Sequence, residues 1–263
     1  MDSLFFVLSF FAFVWGSIWG SFATVLLYRI PRKISIFSPS RSFCPSCGNS
    51  IPARYNIPIF GFLILKGKCF FCKSSIPIYY FLIELLSGIL GFISLEFSHF
   101  SLLRFLLIFF FFWSLLVASF FDFIFLAVPD ILILLSTAVS ILYMLVYGSV
   151  RDSIGGVLVG AGIFSILKLL YKIIRKKEGL GEGDVFFMIP VGIFSGFFGT
   201  IIIMIFSSFL GSVFFIVRRI FSKDIGISHP IPFIPFIFIS CFSVFLIESR
   251  YSYIFEEFFL FRL

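Results

Sequence analysis

The sequence predicts an all-α polytopic membrane protein of about eight transmembrane helices, with a small polar insertion between the first two, on three observations. The first is composition. The 263 residues are 60% hydrophobic and only 13% charged, where a soluble domain carries roughly a quarter charged residues. Mean hydropathy is +1.17. The second is a series of apolar runs at 4–28, 78–95, 102–121, 131–147, 154–171, 185–198, 201–217 and 231–247, each able to cross or nearly cross a bilayer. The third is where the basic residues fall.

The first run opens with Met1-Asp2-Ser3 and has no basic leader, so it reads as an uncleaved helix ending near Tyr28 rather than a signal peptide. The 33 residues at 185–217 admit either one long helix or two short spans around Gly196, Gly199 and Thr200. Charge decides between them. With the N-terminus outside and eight passes, the loops at 29–77, 172–184 and 218–230, together with Lys168, place sixteen of the twenty Lys and Arg in the cytoplasm. A single pass would leave Arg218, Arg219 and Lys223 outside. The net charge of +7 therefore follows the positive-inside rule. It sits in loops rather than along a helix face, which argues against nucleic acid and for a lipid bilayer as the partner. The 45 Phe carry no functional reading. The domains expected are 1–28, a first transmembrane helix; 29–77, a cytoplasmic metal-binding insertion; and 78–263, the remaining bundle. No internal repeat stands out.

The insertion holds eight basic residues, no acid and two C-x-x-C pairs, Cys44-Pro45-Ser46-Cys47 and Cys69-Phe70-Phe71-Cys72. Four thiolates suit Zn²⁺ in a closed structural site. The 21 residues between the pairs lie one beyond the roughly 15–20 of common zinc spacings. A cytoplasmic loop disfavours disulfides, and so small a domain needs metal to fold. The alternative is a pair of unmetallated thiol hairpins. Lys66, Lys68 and Lys73 solvate the loop and offset thiolate charge, and Cys241 reads as a small core residue.

Acids in membrane spans are costly and mark function. Glu84, Asp122, Asp130 and Asp184 are the candidates. Asp122 ends a helix running inward and Asp184 opens one running outward, so both reach the cytoplasmic end at similar depth. Asp130 follows Pro129 at a helix start, where it favours the helix dipole. Asp184 closes Gly179-Leu180-Gly181-Glu182-Gly183-Asp184, whose glycines let backbone approach a peptide closely. Two carboxylates brought together cannot both ionise readily, so one takes a proton from water while the other polarises a carbonyl. The pair titrates as a unit. That is aspartic peptidase chemistry, with Asp122 and Asp184 as catalysts. Glu84 pairs with a base such as Lys168 or serves a second chemistry. Gly16 and Gly20 allow close helix packing.

These residues resemble the bacterial prepilin peptidase family, a membrane aspartic peptidase family. The resemblance runs through Gly20-Ser21-Phe22, Tyr28-Arg29-Ile30-Pro31-Arg32, the C-x-x-C pairs bracketing Asn56-Ile57-Pro58, and Gly67-Lys68-Cys69. It continues through Tyr80 and Glu84, Asp122 to Pro129-Asp130, Lys177 to Asp184, and Pro232-Phe233-Ile234-Pro235-Phe236. It implies cleavage of the short basic leader of type IV prepilins and type II secretion pseudopilins, after Gly, at the cytoplasmic face of the bacterial inner membrane. It also implies N-methylation of the new N-terminus from S-adenosylmethionine. Three positions depart from the pattern. Ala23-Thr24 stand where the family has Asn, Phe186 where it has Lys, and Ile234 where it has Gly. The Phe186 change removes a cation near the dyad. Two other readings remain at this point: a peptidase without methyltransferase activity, and a non-catalytic zinc-ribbon scaffold for pilus assembly. The retained Asp122 and Asp184 oppose the scaffold. The sequence contains no Rossmann-type glycine loop for S-adenosylmethionine, but the presence of the zinc insertion favours both activities.

Overall fold

A computed structural model describes residues 2–176, 181–221 and 231–250. Among these the protein is helical, with α1 over Asp2–Arg29, α2 over Phe60–Ile64, α3 over Ile78–Glu96, α4 over Leu102–Phe125, α5 over Asp130–Tyr147, α6 over Val150–Arg175, α7 over Glu182–Phe221 and α8 over Ile234–Arg250. Away from its ends a helix satisfies its backbone polar groups internally, which is why apolar runs in lipid take this form. Side chains such as Phe6, Ile174 and Ile205 stand exposed, as lipid-facing residues do. Among the described residues, six helices are long and apolar enough to cross a bilayer, and α8, at 17 residues, is an apolar seventh.

The chain divides into two units, Met1–Phe109 and Phe110–Leu263. In the first, α1 packs on α3 along a seam of small residues. A Cβ on Gly16 would strike the Ser87 carbonyl, and one on Gly20 would sit 2.6 Å from the Glu84 Cα. Gly88 and Gly91 do the same from α3 against Ser17, Phe13 and Ala12. The packing role expected for Gly16 and Gly20 is what the structure contains. Trp15 then closes on Phe105 and Phe109, its ring 4.5 Å from the latter.

In the second unit α7 lies between α5, α6 and α8. Its 40 residues would make a straight rod of about 60 Å, twice the hydrocarbon thickness. The helix breaks at Gly196, where φ is 66° and ψ −172°. This conformation suits glycine alone, and a Cβ there would strike the Asp152 carboxylate. Asp152 Oδ1 accepts the Phe197 amide at 3.0 Å, capping the second arm. The arms fold back on each other. Gly160 of α6 meets Met188 of the first arm and Thr200 of the second, and Phe214 of the second arm lies 5.4 Å from Phe236 at the start of α8. Two short passes with a tight turn are therefore present, as the charge argument required, with the turn at Gly196. Counting the arms separately gives eight apolar helices. The core is aromatic, with Phe111 stacked on Phe194 at 3.9 Å and Phe112 against Phe194, Phe242 and Phe245.

Candidate active site and metal centre

In the second unit, Asp122 sits on the last turn of α4 and is 7% exposed. Its Oδ2 accepts the amide of Ile234, the first residue of α8, at 3.0 Å. A carboxylate at a helix N-terminus meets both an orphan N–H and the positive end of the dipole. Asp184 lies in the first turn of α7, close enough to Asp122 for their charges to interact, and Gly181 donates its backbone N–H to it. A Cβ on Gly181 would stand 3.1 Å from Asp184 Oδ2. The glycine thus admits the backbone to the carboxylate of Asp184 itself. The structure brings together the two acids that the sequence singled out, from helices far apart in the chain.

Asp130 is the first residue of α5, exposed, and makes no side-chain cap; Pro129 occupies the cap position. Its place is that of a dipole-favouring acid. Phe186, where the resemblance expects Lys, is 50% exposed. A cation reaches the site from another helix: Lys168 of α6 interacts with Asp184 and bonds Glu182 Oε1 at 3.1 Å. Nothing in the sequence spacing announces this lysine, because it comes from the preceding helix. The stretch Lys177-Glu178-Gly179-Leu180 lies outside the described residues, as do Lys223 and Arg262.

The pairing suggested for Glu84 and Lys168 is corrected. Lys168 takes Glu182, and in the first unit Glu84 Oε2 accepts the backbone N–H of Ile59 at 2.7 Å.

The four cysteine sulfurs of the insertion all lie within 4.8 Å of one another, and Cys44 Sγ and Cys72 Sγ are 3.8 Å apart. Tetrahedral ligands at about 2.3 Å from a metal would stand about 3.8 Å apart. No disulfide joins them, and the cluster can hold a metal ion. Each pair sits on a turn of the same construction. Cys44 N–H bonds Asn49 O and Cys69 N–H bonds Ser74 O; Ile51 N–H bonds Ser42 O and Ile76 N–H bonds Gly67 O. Gly48 and Lys73 both have positive φ, 72° and 59°. This is a repeat at an offset of 25 residues, and it corrects the expectation that none exists. The shared Ser-Ile-Pro after each pair (50–52 and 75–77) was its signal. Burial opposes ionisation of Cys44, but the amides of Cys47 and Ser46 and the side chains of Cys69 and Ser74 outweigh it and bring the thiol down to about 6. Cys241 is fully buried in α8, 3.7 Å from Ser195 Oγ, as a core residue.

Known proteins match both units. The family described as Bacterial Peptidase A24 N-terminal domain matches residues 14–97, and the Type IV leader peptidase family matches 109–216. A prepilin leader peptidase/N-methyltransferase of Dichelobacter nodosus is 29% identical over 281 residues, covering 95% of each chain. One from Aeromonas salmonicida is 30% identical over 257 residues and 87% of each chain. One from Neisseria gonorrhoeae is 31% identical, covering 70% of this chain and 73% of its own. No solved structure matches. With that identity sustained along both chains and both domain families in chain order, this protein belongs to the type IV leader peptidase family.

Proposed function

We propose that this protein removes the leader of type IV prepilins and type II secretion pseudopilins after Gly, at the cytoplasmic face of the inner membrane, and methylates the new N-terminus. The observation that carries the reading is the approach of Asp122 and Asp184 at one end of the second unit. One carboxylate draws a proton from water, whose oxygen attacks the scissile carbonyl; the other gives its proton to the carbonyl oxygen. Collapse of the tetrahedral intermediate then expels the amine with a proton returned from the dyad. Ile234 fixes the orientation of Asp122, and Gly181 that of Asp184. The first unit contributes a structural site in which Cys44, Cys47, Cys69 and Cys72 hold one zinc, closing the insertion with folding energy. The topology we propose follows from charge: the basic loops at 29–77, 172–184 and 218–230 face the cytoplasm and both ends of the chain the periplasm.

The test is conversion of prepilin to pilin in membranes. Asp122→Asn and Asp184→Asn each abolish it while the protein still inserts, because an amide serves as neither base nor acid. Asp130→Asn keeps substantial activity. A dead Asp130→Asn beside an active Asp122→Asn reassigns the first catalyst, and normal cleavage by all three removes the aspartic mechanism.

A further inference from the structure

Inside the polar insertion stand nine apolar residues in a row, Ile57-Pro58-Ile59-Phe60-Gly61-Phe62-Leu63-Ile64-Leu65, followed at once by Lys66 and Lys68. They belong to a loop, yet their composition is that of a span. Their depth follows from α3. Its 19 residues measure about 28 Å, no more than the roughly 30 Å of a bilayer's hydrocarbon, so its first residue, Ile78, stands at the boundary. Two contacts tie the apolar segment to α3 past that first residue. The ring of Phe62 lies 5.4 Å from that of Phe81, and the Ile59 amide donates to Glu84 Oε2 at 2.7 Å. Glu84 is six residues from Ile78, about 9 Å along the axis. Side chains on α3 lean back toward its start, which brings the segment to the upper edge of the apolar layer.

The backbone is built for such a place. Lipid offers no partner to a free amide. Ile59 donates to Glu84, Phe60 to Pro58 O, Gly61 to Ile57 O, Leu63 to Ile59 O and Leu65 to Gly61 O, while Pro58 has no N–H to satisfy. The chain reverses at Ile59, where φ 66° and ψ −55° make a γ-turn of the rare hand. That turn leaves the Ile59 amide without a backbone acceptor, and an acid in a span needs donors; each meets the other's need. Ser21 is the second partner of Glu84.

The side chains complete the pattern. While Phe62 meets α3, Phe60, Leu63 and Ile64 stand 61%, 54% and 60% exposed. α3 itself exposes Ile78, Leu82, Leu86 and Ile89 at helical spacing, the face a span turns to lipid. Charge fits the same partner. Residues 29–77 carry eight bases and no acid, and Lys66 and Lys68 stand exposed where the apolar run ends. Their long stems carry the ammonium groups to the level of anionic headgroups. We infer that residues 57–65 form an interfacial anchor that turns back into the bilayer and is covered by phospholipid. Acyl chains meet Phe60, Leu63 and Ile64, and anionic headgroups meet Lys66 and Lys68. The inference rests on the membrane spans, not on cleavage or methylation. Only Lys66-Gly67-Lys68 separate Leu65 from Cys69, so the anchor moors the second cysteine turn to the membrane surface.

The test uses the full-length, zinc-loaded protein in vesicles of phosphatidylethanolamine and phosphatidylglycerol. Photoreactive benzoylphenylalanine replaces Phe60, or Ile89 as a reference in a span, or the exposed Asn49 as a reference on the first cysteine turn. We expect phospholipid adducts at Phe60 in a yield close to that at Ile89, severalfold above that at Asn49, and enriched in phosphatidylglycerol. Ile64→Glu should lower the Phe60 yield roughly tenfold, because an ionised side chain is expelled from the apolar layer. Lys66→Gln with Lys68→Gln should abolish the enrichment. A Phe60 yield no higher than that at Asn49 overturns the anchor, and so do adducts with a second copy of the chain in place of lipid. Adducts in the proportions of the mixture overturn the role of the two lysines. Should Ile64→Glu lose its zinc, the comparison of Phe60 with Asn49 decides alone. Prepilin cleavage is not read at any step, so failure here leaves the proposed function untouched.

Discussion

The cysteine cluster of the first unit and the aspartate pair of the second are both gatherings of ionisable groups, assembled in opposite ways. Cys44, Cys47, Cys69 and Cys72 stand on two short turns of one design, held by local backbone hydrogen bonds. Asp122 and Asp184 meet only because three elements converge: the end of α4, the start of α7, and the first amide of α8. A site built locally is written in the sequence as spacing. A site built by convergence depends on helix packing, so its supports are scattered. The small-residue contacts of Gly156 with Gly192 and Gly196, which let α6 and α7 touch, belong to the second site as much as the carboxylates do.

The largest effect expected separates the two regions. In the dyad, losing one carboxylate should cost nearly as much as losing both, on the order of a thousandfold or more in cleavage rate, since the pair acts as a unit. Single-turnover assays of Asp122→Asn, Asp184→Asn and the double variant measure this; losses that multiply would show independent roles. Asp122→Ala should in addition lower stability by about 1 kcal/mol relative to Asp122→Asn, because it strips the Ile234 amide of its acceptor.

Next comes the metal. Cys69→Ser, or chelation, should remove about one zinc per chain and expose the loop of residues 38–76 to protease, while the second unit keeps its resistance. Elemental analysis and limited proteolysis read the two halves separately. Equal loss of protection in both units would abolish the contrast drawn above.

A smaller effect tests the cation beside Asp184. Lys168→Met should slow cleavage by about tenfold, the size of a single charged contact of 1.4 kcal/mol. Adding Phe186→Lys should restore much of the rate, with a cation supplied from α7 itself. No rescue would mean that Lys168 acts through Glu182 alone.

The smallest concerns the repeat. Lys73 occupies the left-handed position that Gly48 fills in the first turn. Lys73→Gly should relieve local strain and raise the zinc-loaded unfolding midpoint by a degree or two, worth about 0.5 kcal/mol. A fall in that midpoint would show that the lysine's contact with the Phe70 ring matters more.

The legible parts share a physical cause. Helices in lipid must be apolar along their length, so α1, α3, α4, α5 and α6 begin and end near the expected runs. The break in α7 was legible too, because Gly196 sits where basic residues demanded a return. The pair Asp122 and Asp184 and the four cysteines were named from residue type and position, and the structure brings each set together. What the sequence hid depends on contacts across helices. Asp152 capping Phe197, Ile234 donating to Asp122, and Lys168 turning to Glu182 each join residues with no common motif. Glu84 was singled out as an acid in a span, but its partners are Ser21 and the Ile59 backbone amide, and backbone amides leave no mark in a sequence. The repeated turns are the opposite case: Ser-Ile-Pro marks both, while the residues between the cysteines differ and mask the likeness.

The bond from Ile234 to Asp122 makes α8 a gauge of the proposed cleavage site. Anything that competes for Oδ2, whether a bound peptide or an inhibitor aimed at the carboxylates, releases the first amide of that helix to the solvent. Deuterium uptake at a single position, far along the chain from either C-x-x-C pair, then reports occupancy without turnover. Compounds could be ranked on the resting enzyme before any pilin substrate is in hand.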